Sequence, residues 1–440
     1  MAKALTIAGS DSGGGAGIQA DLKTFASLGV HGMSAITSIT AQNTVGVEAI
    51  FDLPAWLVKK QIECLADDIG IDAAKTGMLS NKEIVKEVAK TLKKYDFPVV
   101  VDPVMIAKSG AYLLKEDAIN AFIEYILPIA YVITPNKHEA ERLSGIKIKN
   151  REDAKKAAKE IKKMGAEAVI IKGGHMKTAT DLLYYKGKFI EYRGKKIKGC
   201  THGTGCSFSA AITANLAKGL ELEKAVAIAK KFITMAIQYG EKIGHGHCPV
   251  NPIAYIAKNA EKWRAYEELY DAIEELTKKN IVDFIPEVGM NFVYALPMPY
   301  AKSIDDVLGI EGRIVRAGKK AKAGEIKFGA SRHLARAILK AMEFDSNIRA
   351  VMNIKYDESL LKKIKKRFAT SFYNRQEEPE EIKKREGATI PWGIEVAISK
   401  AKKVPDIIYH TGDIGKEPMI LIFGKNPKDV LRKFDEIRKL

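Results

Sequence analysis

The chain carries the sequence LTIAGSDSGGGAG at residues 5–17. An apolar run, Leu5–Ala8, leads into a turn with five glycines, and an amphipathic pattern follows over Ile18–Leu28. This succession predicts a β-strand, a glycine-rich turn and an α-helix, with a turn whose backbone a small ligand can approach closely. The turn is not a Walker A loop, because Gly-Lys-Ser/Thr is absent, and Ile18 replaces the last glycine of the dinucleotide fingerprint. A flexible turn without a ligand explains this stretch alone equally well.

The same alternation of apolar runs and amphipathic helices continues to about residue 255. Further strands are predicted at Ala73–Thr76, Val99–Asp102, Tyr131–Thr134 and Ala168–Lys172, and a further helix at Lys82–Lys93. The pattern predicts an α/β fold with a doubly covered, mostly parallel sheet. Turn signals follow most of these strands, at the sheet edge where ligands of such folds bind.

The pattern stops near Pro249–Pro252, a charged helix follows, and a new apolar section begins at Ile281. We therefore predict a first domain at 1–255, a helical connector at 256–279 and a second α/β domain at 280–440. In the second domain, helices are predicted at Ser303–Leu308, Ser331–Met342 and Asp429–Lys439, and strands at Met352–Tyr356, Gly393–Ser399 and Met419–Phe423.

The composition is that of a soluble globular protein, with 46% hydrophobic and 28% charged residues among 440. There is no apolar run of about 18 residues, and the first strand begins almost at Met1, so we expect neither a membrane span nor a targeting peptide, and a cytoplasmic location. The net charge of +17 is spread over both halves. This distribution argues against a nucleic-acid partner and fits either polyanionic substrates or a solvated, thermophile-type surface.

Four cysteines are present, at Cys64, Cys200, Cys206 and Cys248, and none forms a CxxC pair. We therefore predict neither a disulfide framework nor a structural zinc site, and we expect Cys64 to be a small buried hydrophobe.

A second glycine-containing turn, THGTGC at residues 201–206, precedes an alanine-rich helix at Ser209–Leu216. Free amide groups at a helix N-terminus form an anion site suited to a phosphoryl group in transfer. The helix N-terminus is expected to lower the pKa of Cys206, which makes a thiolate base plausible. A helix-capping turn with a buried thiol is the alternative.

Together these segments resemble the ribokinase superfamily, and within it the hydroxymethylpyrimidine and phosphomethylpyrimidine kinases. The resemblance covers nearly all of the first 250 residues. It is carried by Leu5–Asp11, Gly14–Thr24, Ala41–Thr44, Lys75–Leu79, Val101–Met105, Thr134–Asn136, Lys172–His175 and His202–Cys206.

The resemblance implies a role for each matching residue. Asp21 and Gln42 would read the aminopyrimidine edge, between apolar walls of Met78 and Val104. Asn136 and Glu139 would position Mg²⁺ through waters, and Lys172 would neutralise phosphates of ATP. The anion hole would consist of Gly203, Thr204, Gly205 and Cys206, and whether Cys206 is a base or only completes the hole stays open. Kinases of this family are usually dimers, so a homodimer is expected.

Residues from about 280 onward resemble the thiamine-phosphate synthase domain that is fused to this kinase in archaea and some bacteria. The matching segments are Gly312–Val315, Phe328–Arg336, Trp392–Glu395, Asp406–Tyr409 and Gly412–Met419. The implied reaction joins hydroxymethylpyrimidine diphosphate to thiazole phosphate, releases diphosphate and as a rule needs Mg²⁺. Arg313 and His333 are the catalytic candidates, and Ser331, a predicted N-cap, and Lys416 are candidate phosphate contacts.

Two other functions stay open at this point. In one of them, the second domain is a ligand sensor and not an enzyme. Two observations count against it: no helix-turn-helix DNA-binding motif is apparent, and the catalytic candidates Arg313 and His333 are both present. In the other, the first domain is a pyridoxal-type kinase. The segments Gln42–Thr44 and Lys75–Leu79 favour the pyrimidine kinase instead.

Overall fold

The structure is a computed structural model that describes residues 1–105, 116–175, 178–194, 196–413 and 416–440. Ile414 and Gly415, which belong to the synthase-like segment 412–419, lie outside the described residues. The chain divides into two compact units, Met1–Ala257 and Lys258–Leu440.

The first unit is built on a nine-stranded sheet of order β3-β2-β1-β4-β5-β6-β7-β8-β9. Its strands are β1 (Lys3–Asp11), β2 (His31–Gln42), β3 (Val47–Asp52), β4 (Ala73–Thr76), β5 (Val99–Val101), β6 (Val132–Ile133), β7 (Ala168–Ile171), β8 (Asp181–Tyr185) and β9 (Lys188–Tyr192). The six central strands from β2 to β7 are parallel, and β3, β8 and β9 are antiparallel to their neighbours. The predicted mostly parallel sheet is confirmed.

Helices cover both faces of this sheet because the central strands are apolar on both sides. The helices are α1 (Gly17–Ser27), α2 (Ala55–Asp68), α3 (Lys82–Leu92), α4 (Glu116–Ala121), α5 (Lys137–Ser144), α6 (Arg151–Lys163), α7 (Thr204–Ala217) and α8 (Leu222–Gln238). One core is formed with α2, α3, α5 and α6, and the other with α1, α7 and α8. The predicted double cover is therefore also confirmed.

The cysteine predictions were wrong on two points. Cys200 and Cys248 form a disulfide across 48 residues of sequence, and Cys64 is exposed. The pairing was not readable from spacing because it depends on a tertiary contact: the amide of His202 donates to the carbonyl of Cys248 at 3.0 Å.

The second unit contains a seven-stranded sheet of order β14-β11-β10-β15-β18-β17-β16, with a separate β12–β13 hairpin. Its strands are β10 (Phe292–Ala295), β11 (Val307–Ile310), β12 (Ile314–Ala317), β13 (Lys320–Ala323), β14 (Ile326–Phe328), β15 (Ala350–Lys355), β16 (Thr370–Phe372), β17 (Ile407–His410) and β18 (Met419–Gly424). Only β16 and β17 pair in parallel among the described strands of this sheet.

Helices cover both faces of the second sheet as well. They are α9 (Ala254–Thr277), α10 (Arg332–Phe344), α11 (Glu358–Ile364), α12 (Glu380–Lys383), α13 (Thr389–Ala401) and α14 (Pro427–Arg438). Buried residues of α9, α11 and α14 join one core, and those of α10 and α13 join the other. The predicted connector helix therefore contributes, from Ala265 to Leu276, to the core of the second unit.

Two element predictions in the second unit were wrong. Gly393–Ser399, predicted as a strand, lies inside α13, whose buried residues Gly393, Ile394, Ala397 and Ile398 follow a helical spacing. Ser303–Leu308, predicted as a helix, is a single 3₁₀ turn over Ile304–Asp306 followed by β11. Every residue of β11 is buried, as is typical of a strand in the interior of a sheet and not of an amphipathic helix.

Candidate active sites

A cavity of about 780 Å³ lies at the carboxyl edge of the parallel strands in the first unit. All but one of the residues predicted for this domain line it: Gln42, Met78, Val104, Asn136, Glu139, Lys172, Gly203, Thr204, Gly205 and Cys206. They lie at the end of β2, after β4, β5, β6 and β7, or at the start of α7, so the parallel topology brings distant segments to one edge.

Asp21 is the exception, because it is completely buried in α1 behind the cavity. Its two carboxylate oxygens each lie 2.9 Å from Nζ of Lys75, and one also accepts a hydrogen bond from Thr6 at 2.7 Å. The predicted direct contact between Asp21 and a pyrimidine is thus corrected: Lys75 lines the cavity and Asp21 holds it. Burial acts to lower the pKa of Lys75, but the charge of Asp21 keeps that pKa above its usual value.

The glycine-rich turn is held by Asp11. Its carboxylate accepts hydrogen bonds from the amides of Gly13, Gly15 and Ala16 at 2.8, 3.0 and 2.8 Å. It also lies 3.5 Å from Nε2 of His202. Burial acts to raise the pKa of Asp11, but His202 and these amides hold it below its usual value. Asp11 therefore joins the first glycine turn to the second.

The second turn ends at Gly203, the N-cap of α7, which has a φ of 78°. A Cβ atom at Gly203 would collide with the carbonyl oxygen of Gly15, so only glycine fits this position. The backbone amides in the first turn of α7 have no hydrogen-bond acceptor within the helix. The residues that carry them line the cavity. The hydroxyl of Thr204 donates to the carbonyl of Thr201 at 2.8 Å, so that side chain is used within the turn.

The predicted low pKa of Cys206 was wrong. Burial raises the pKa of this thiol to about 12, and the carboxylates of Asp21 and Asp102 add to the effect of burial. The charge of Lys75 and the amide of Gly17 act in the opposite direction without reversing it. A helix N-terminus lowers a thiol pKa only when burial and neighbouring anions do not outweigh it.

Charged groups meet at the rim of the cavity. Nζ of Lys172 lies 2.9 Å from Oδ1 of Asp102. Asn136 and Glu139 form a capping box for α5, in which Glu139 accepts from the amide of Asn136 at 2.7 Å. Burial raises the pKa of Glu139 to about 7, despite the charge of Lys172.

No role for Lys75, Asp102 or His202 was predicted from the sequence. Asp102 had a readable signal, since it directly follows the buried strand Val99–Val101 at the expected ligand edge. Lys75 and His202 are recognisable only from their contacts with Asp21 and Asp11.

In the second unit, His333 lies among cationic side chains. It occupies the first turn of α10, and its side chain is exposed. Partial removal from water lowers its pKa, and four nearby positive charges lower it further, those of Arg336, Arg313, Arg375 and Lys416. The structure thus brings the predicted Arg313, His333 and Lys416 together. Ser331 is the N-cap of α10, as predicted, but its side chain makes no capping hydrogen bond.

Arg313 is held by two loops. It has a φ of 66°, and its Nη1 donates to the carbonyl of Val288. The amides of Glu287 and Val288 donate in turn to the carboxylate of Glu417, at 2.9 and 3.1 Å. Glu417 is adjacent to Lys416, so the same contacts connect the two predicted cations.

Two of the cations around His333, Arg336 and Arg375, were not predicted from the sequence. Arg336 is one turn from His333 along α10, so helical spacing was a usable signal. Arg375 follows the three-residue strand β16, and nothing in the sequence pattern marked it.

Comparisons with known proteins match the two units of the chain to two different families. Residues 11–251 match the family model described as phosphomethylpyrimidine kinase, and residues 268–436 match that of the thiamine-phosphate synthase ThiN. The bifunctional thiamine biosynthesis protein ThiDN of Methanocaldococcus jannaschii is 37% identical over 438 residues, which are 99% of this chain and 98% of that protein.

Two further relatives match the first unit. The hydroxymethylpyrimidine/phosphomethylpyrimidine kinase of Bacillus subtilis is 50% identical over 258 residues, which are 58% of this chain and 95% of that protein. The solved ADP complex of Bacillus subtilis pyridoxal kinase is 42% identical, with a TM-score of 0.54, and covers 58% of this chain and 98% of that one. In the described part of the chain, no helix is long and apolar enough to cross a membrane.

The match over nearly the whole length of both chains, with a kinase model on the first unit and a synthase model on the second, shows that this chain belongs to the family of bifunctional thiamine biosynthesis enzymes that join a phosphomethylpyrimidine kinase to a thiamine-phosphate synthase.

Proposed function

We propose that the first unit transfers the γ-phosphoryl group of ATP to hydroxymethylpyrimidine and then to its phosphate. The second unit would join the resulting diphosphate to thiazole phosphate and release inorganic diphosphate. The observation that carries the proposal is the arrangement of two separate sites: a cavity with an anion-binding helix N-terminus, and a cationic group around His333. Domain limits of 1–255 and 280–440, with 256–279 between them, belong to this proposal.

In the kinase cavity, Gln42 would hydrogen-bond the aminopyrimidine edge between Met78 and Val104. The amides of Gly203, Thr204, Gly205 and Cys206 would hold the phosphoryl group in transfer, with the neutral thiol of Cys206 as part of this anion hole. Lys172 would move from Asp102 toward the nucleotide phosphates. Phosphoryl transfer depends on positioning and charge neutralisation more than on a strong base, so a thiolate is not required.

ATP as the donor is supported by the ADP bound in the similar pyridoxal kinase. Glu139 fits a role toward Mg²⁺, because one carboxylate oxygen is used in the capping box and burial disfavours its charge unless a cation is near. Asn136 fits less directly, since its side-chain oxygen already accepts two amides. Within the described ranges, no group of three acidic, His or Cys residues that could hold a metal is found. Mg²⁺ usually keeps several waters and binds substrate phosphate oxygens. Bound Mg²⁺ would supply neutralisation of phosphate charge.

In the synthase site, Arg313, Arg336 and Lys416 would bind the phosphate and diphosphate groups of the two substrates. The free amides at the start of α10, after Ser331, would add donors. The lowered pKa of His333 favours its neutral form, which would act as a hydrogen-bond partner beside the leaving diphosphate. We further propose that the enzyme is a cytoplasmic homodimer.

A coupled assay tests the proposal. The full chain receives hydroxymethylpyrimidine, ATP, Mg²⁺ and thiazole phosphate, and the products are separated by chromatography. Thiamine phosphate is expected from the wild type, and accumulation of the pyrimidine diphosphate from His333→Ala. Wild-type protein that stops at the diphosphate would contradict a synthase role, and pyridoxal outcompeting the pyrimidine would contradict the kinase assignment.

A further inference from the structure

The side chain of Arg375 is a buried cation. Only 8% of the residue is exposed, and its buried Nε atom has no hydrogen-bond partner among the residues that the structure describes. Within the described part of the chain, its guanidinium forms no ion pair with any carboxylate. A buried charge in proteins is normally paired, so an unpaired guanidinium of this kind indicates that an anion belongs beside it.

The segment around Arg375 has other unused polar groups. Of the seven buried side-chain atoms without a hydrogen-bond partner in the described residues, three lie on residues 373–378: the hydroxyl of Tyr373, Nε of Arg375 and Oε1 of Glu378. Tyr373 contacts the end of β17: its ring centroid lies 5.1 Å from that of His410, and its amide donates to the carbonyl of Tyr409 at 3.3 Å. Residues 373–378, here called the wall, thus pack against β17 and carry three buried polar atoms without a hydrogen-bond partner in the described residues.

This wall borders the synthase site. Arg375 follows β16, which pairs in parallel with β17, and His410 ends β17, so both residues lie at the same sheet edge. The positive charge of Arg375 acts to lower the pKa of His410 and of His333, and the charges of Arg313, Arg336 and Lys416 act on His333 in the same direction.

We infer that Arg375 binds a phosphate or diphosphate oxyanion of the substrates directly, at the buried end of this cationic group. The inference rests on the proposed synthase function and adds a residue to it. A guanidinium suits this task because its planar donors match two oxygens of a phosphate at once.

The test uses the full chain with ADP saturating the kinase cavity, and inorganic diphosphate and inorganic phosphate as probes. Binding is measured by titration calorimetry for wild type, Arg375→Met, Arg375→Lys and the control Arg349→Met. Arg349 is also part-buried, but its Nε already donates to Ala295 at 3.0 Å and its guanidinium lies 4.5 Å above the ring of Tyr294. Arg349 directly precedes β15, where Ala350 pairs with Gly424, and therefore lies at the opposite end of the strands from Arg375.

We expect Arg375→Met to raise the Kd of inorganic diphosphate at least about tenfold, Arg375→Lys to raise it less, and Arg349→Met to leave it within about twofold. KM values for the two synthase substrates then identify which one supplies the anion. Unchanged Kd in an Arg375→Met protein with a folded second unit, judged by circular dichroism and by a thermal transition of that unit like the wild type's, would overturn the inference. If that variant does not fold, Arg375→Lys decides in the same way. Arg375-dependent binding in a wild-type protein without synthase activity would support this inference while refuting the proposed function.

Discussion

Lys172 and Asp102 form an ion pair at the rim of the kinase cavity, with 2.9 Å between Nζ and Oδ1. They follow two strands of the sheet that are separated by β6: Asp102 follows β5 and Lys172 follows β7. A Cβ atom built at Gly205 would lie 3.2 Å from Nζ of Lys172 and 3.4 Å from Oδ2 of Asp102, so the first turn of α7 rests against both charges. A phosphoryl group bound at that turn would meet the ammonium and the carboxylate together.

Asp102→Asn should lower the kcat of the kinase by about a hundredfold, because the amide no longer holds the ammonium of Lys172 in position beside the first turn of α7, where the phosphoryl group is transferred. The synthase, assayed with preformed pyrimidine diphosphate, should be unaffected. The control is Glu63→Gln, which removes an exposed ion pair with Lys94 of 2.7 Å. Release of ADP from both variants checks the prediction, and near-normal kcat in Asp102→Asn would contradict it.

Two glycines with the same backbone conformation offer a matched comparison. Gly203 and Gly219 both have a φ of 78°, but a Cβ atom at Gly203 would collide with Gly15, whereas one at Gly219 would meet nothing within 4 Å. Gly219→Ala should cost only the backbone strain, about 1 kcal/mol of unfolding free energy. Gly203→Ala should also separate the two glycine turns and abolish most kinase activity. Calorimetry and ADP release distinguish the effects, and equal activity losses in the two variants would contradict the argument.

Much of the first unit was readable because its pattern is strong and local. The apolar runs that predicted strands, such as Ala73–Thr76, lie in the sheet, and the turns after them lie at the cavity. The electrostatics were not readable in the same way. The N-terminal position of Cys206 on α7 predicted a low pKa, but burial and two carboxylates from distant segments decide the actual direction.

The second unit was less readable for topological reasons. Its sheet is largely antiparallel and includes strands as short as β16, with three residues, over which no period can be recognised. Arg375 reaches the site only because β16 pairs with β17, some 35 residues later in sequence. By contrast, Arg313 and His333 were predicted from segments that match the family, and the charge of Arg313 acts on His333 to lower its pKa.

The buried charges of Asp21 and Lys75 should be compatible with a stable first unit only when both are present. Asp21→Asn would leave the buried ammonium of Lys75 uncompensated and is expected to cost about 3–5 kcal/mol of unfolding free energy. Adding Lys75→Met should recover most of that stability but not the kinase activity, because Lys75 lines the cavity. Differential scanning calorimetry of the first-unit transition measures both variants. A double variant as unstable as the single one would show that the two residues do not act as a pair.

The protonation state of Cys206 can be tested directly by alkylation. Because its pKa is raised to about 12, the thiolate fraction should be very small at pH 7 and rise about tenfold per pH unit without a plateau up to pH 10. Modification by iodoacetamide, followed by mass spectrometry of the peptide, should show that same slope, with the exposed Cys64 of the same chain as an internal standard. The kcat of the kinase should show no rise over this range, and Cys206→Ser should retain most of it, because a hydroxyl replaces a neutral thiol in the anion hole. A plateau with a midpoint below about pH 8.5, together with loss of activity in Cys206→Ser, would instead identify a thiolate base.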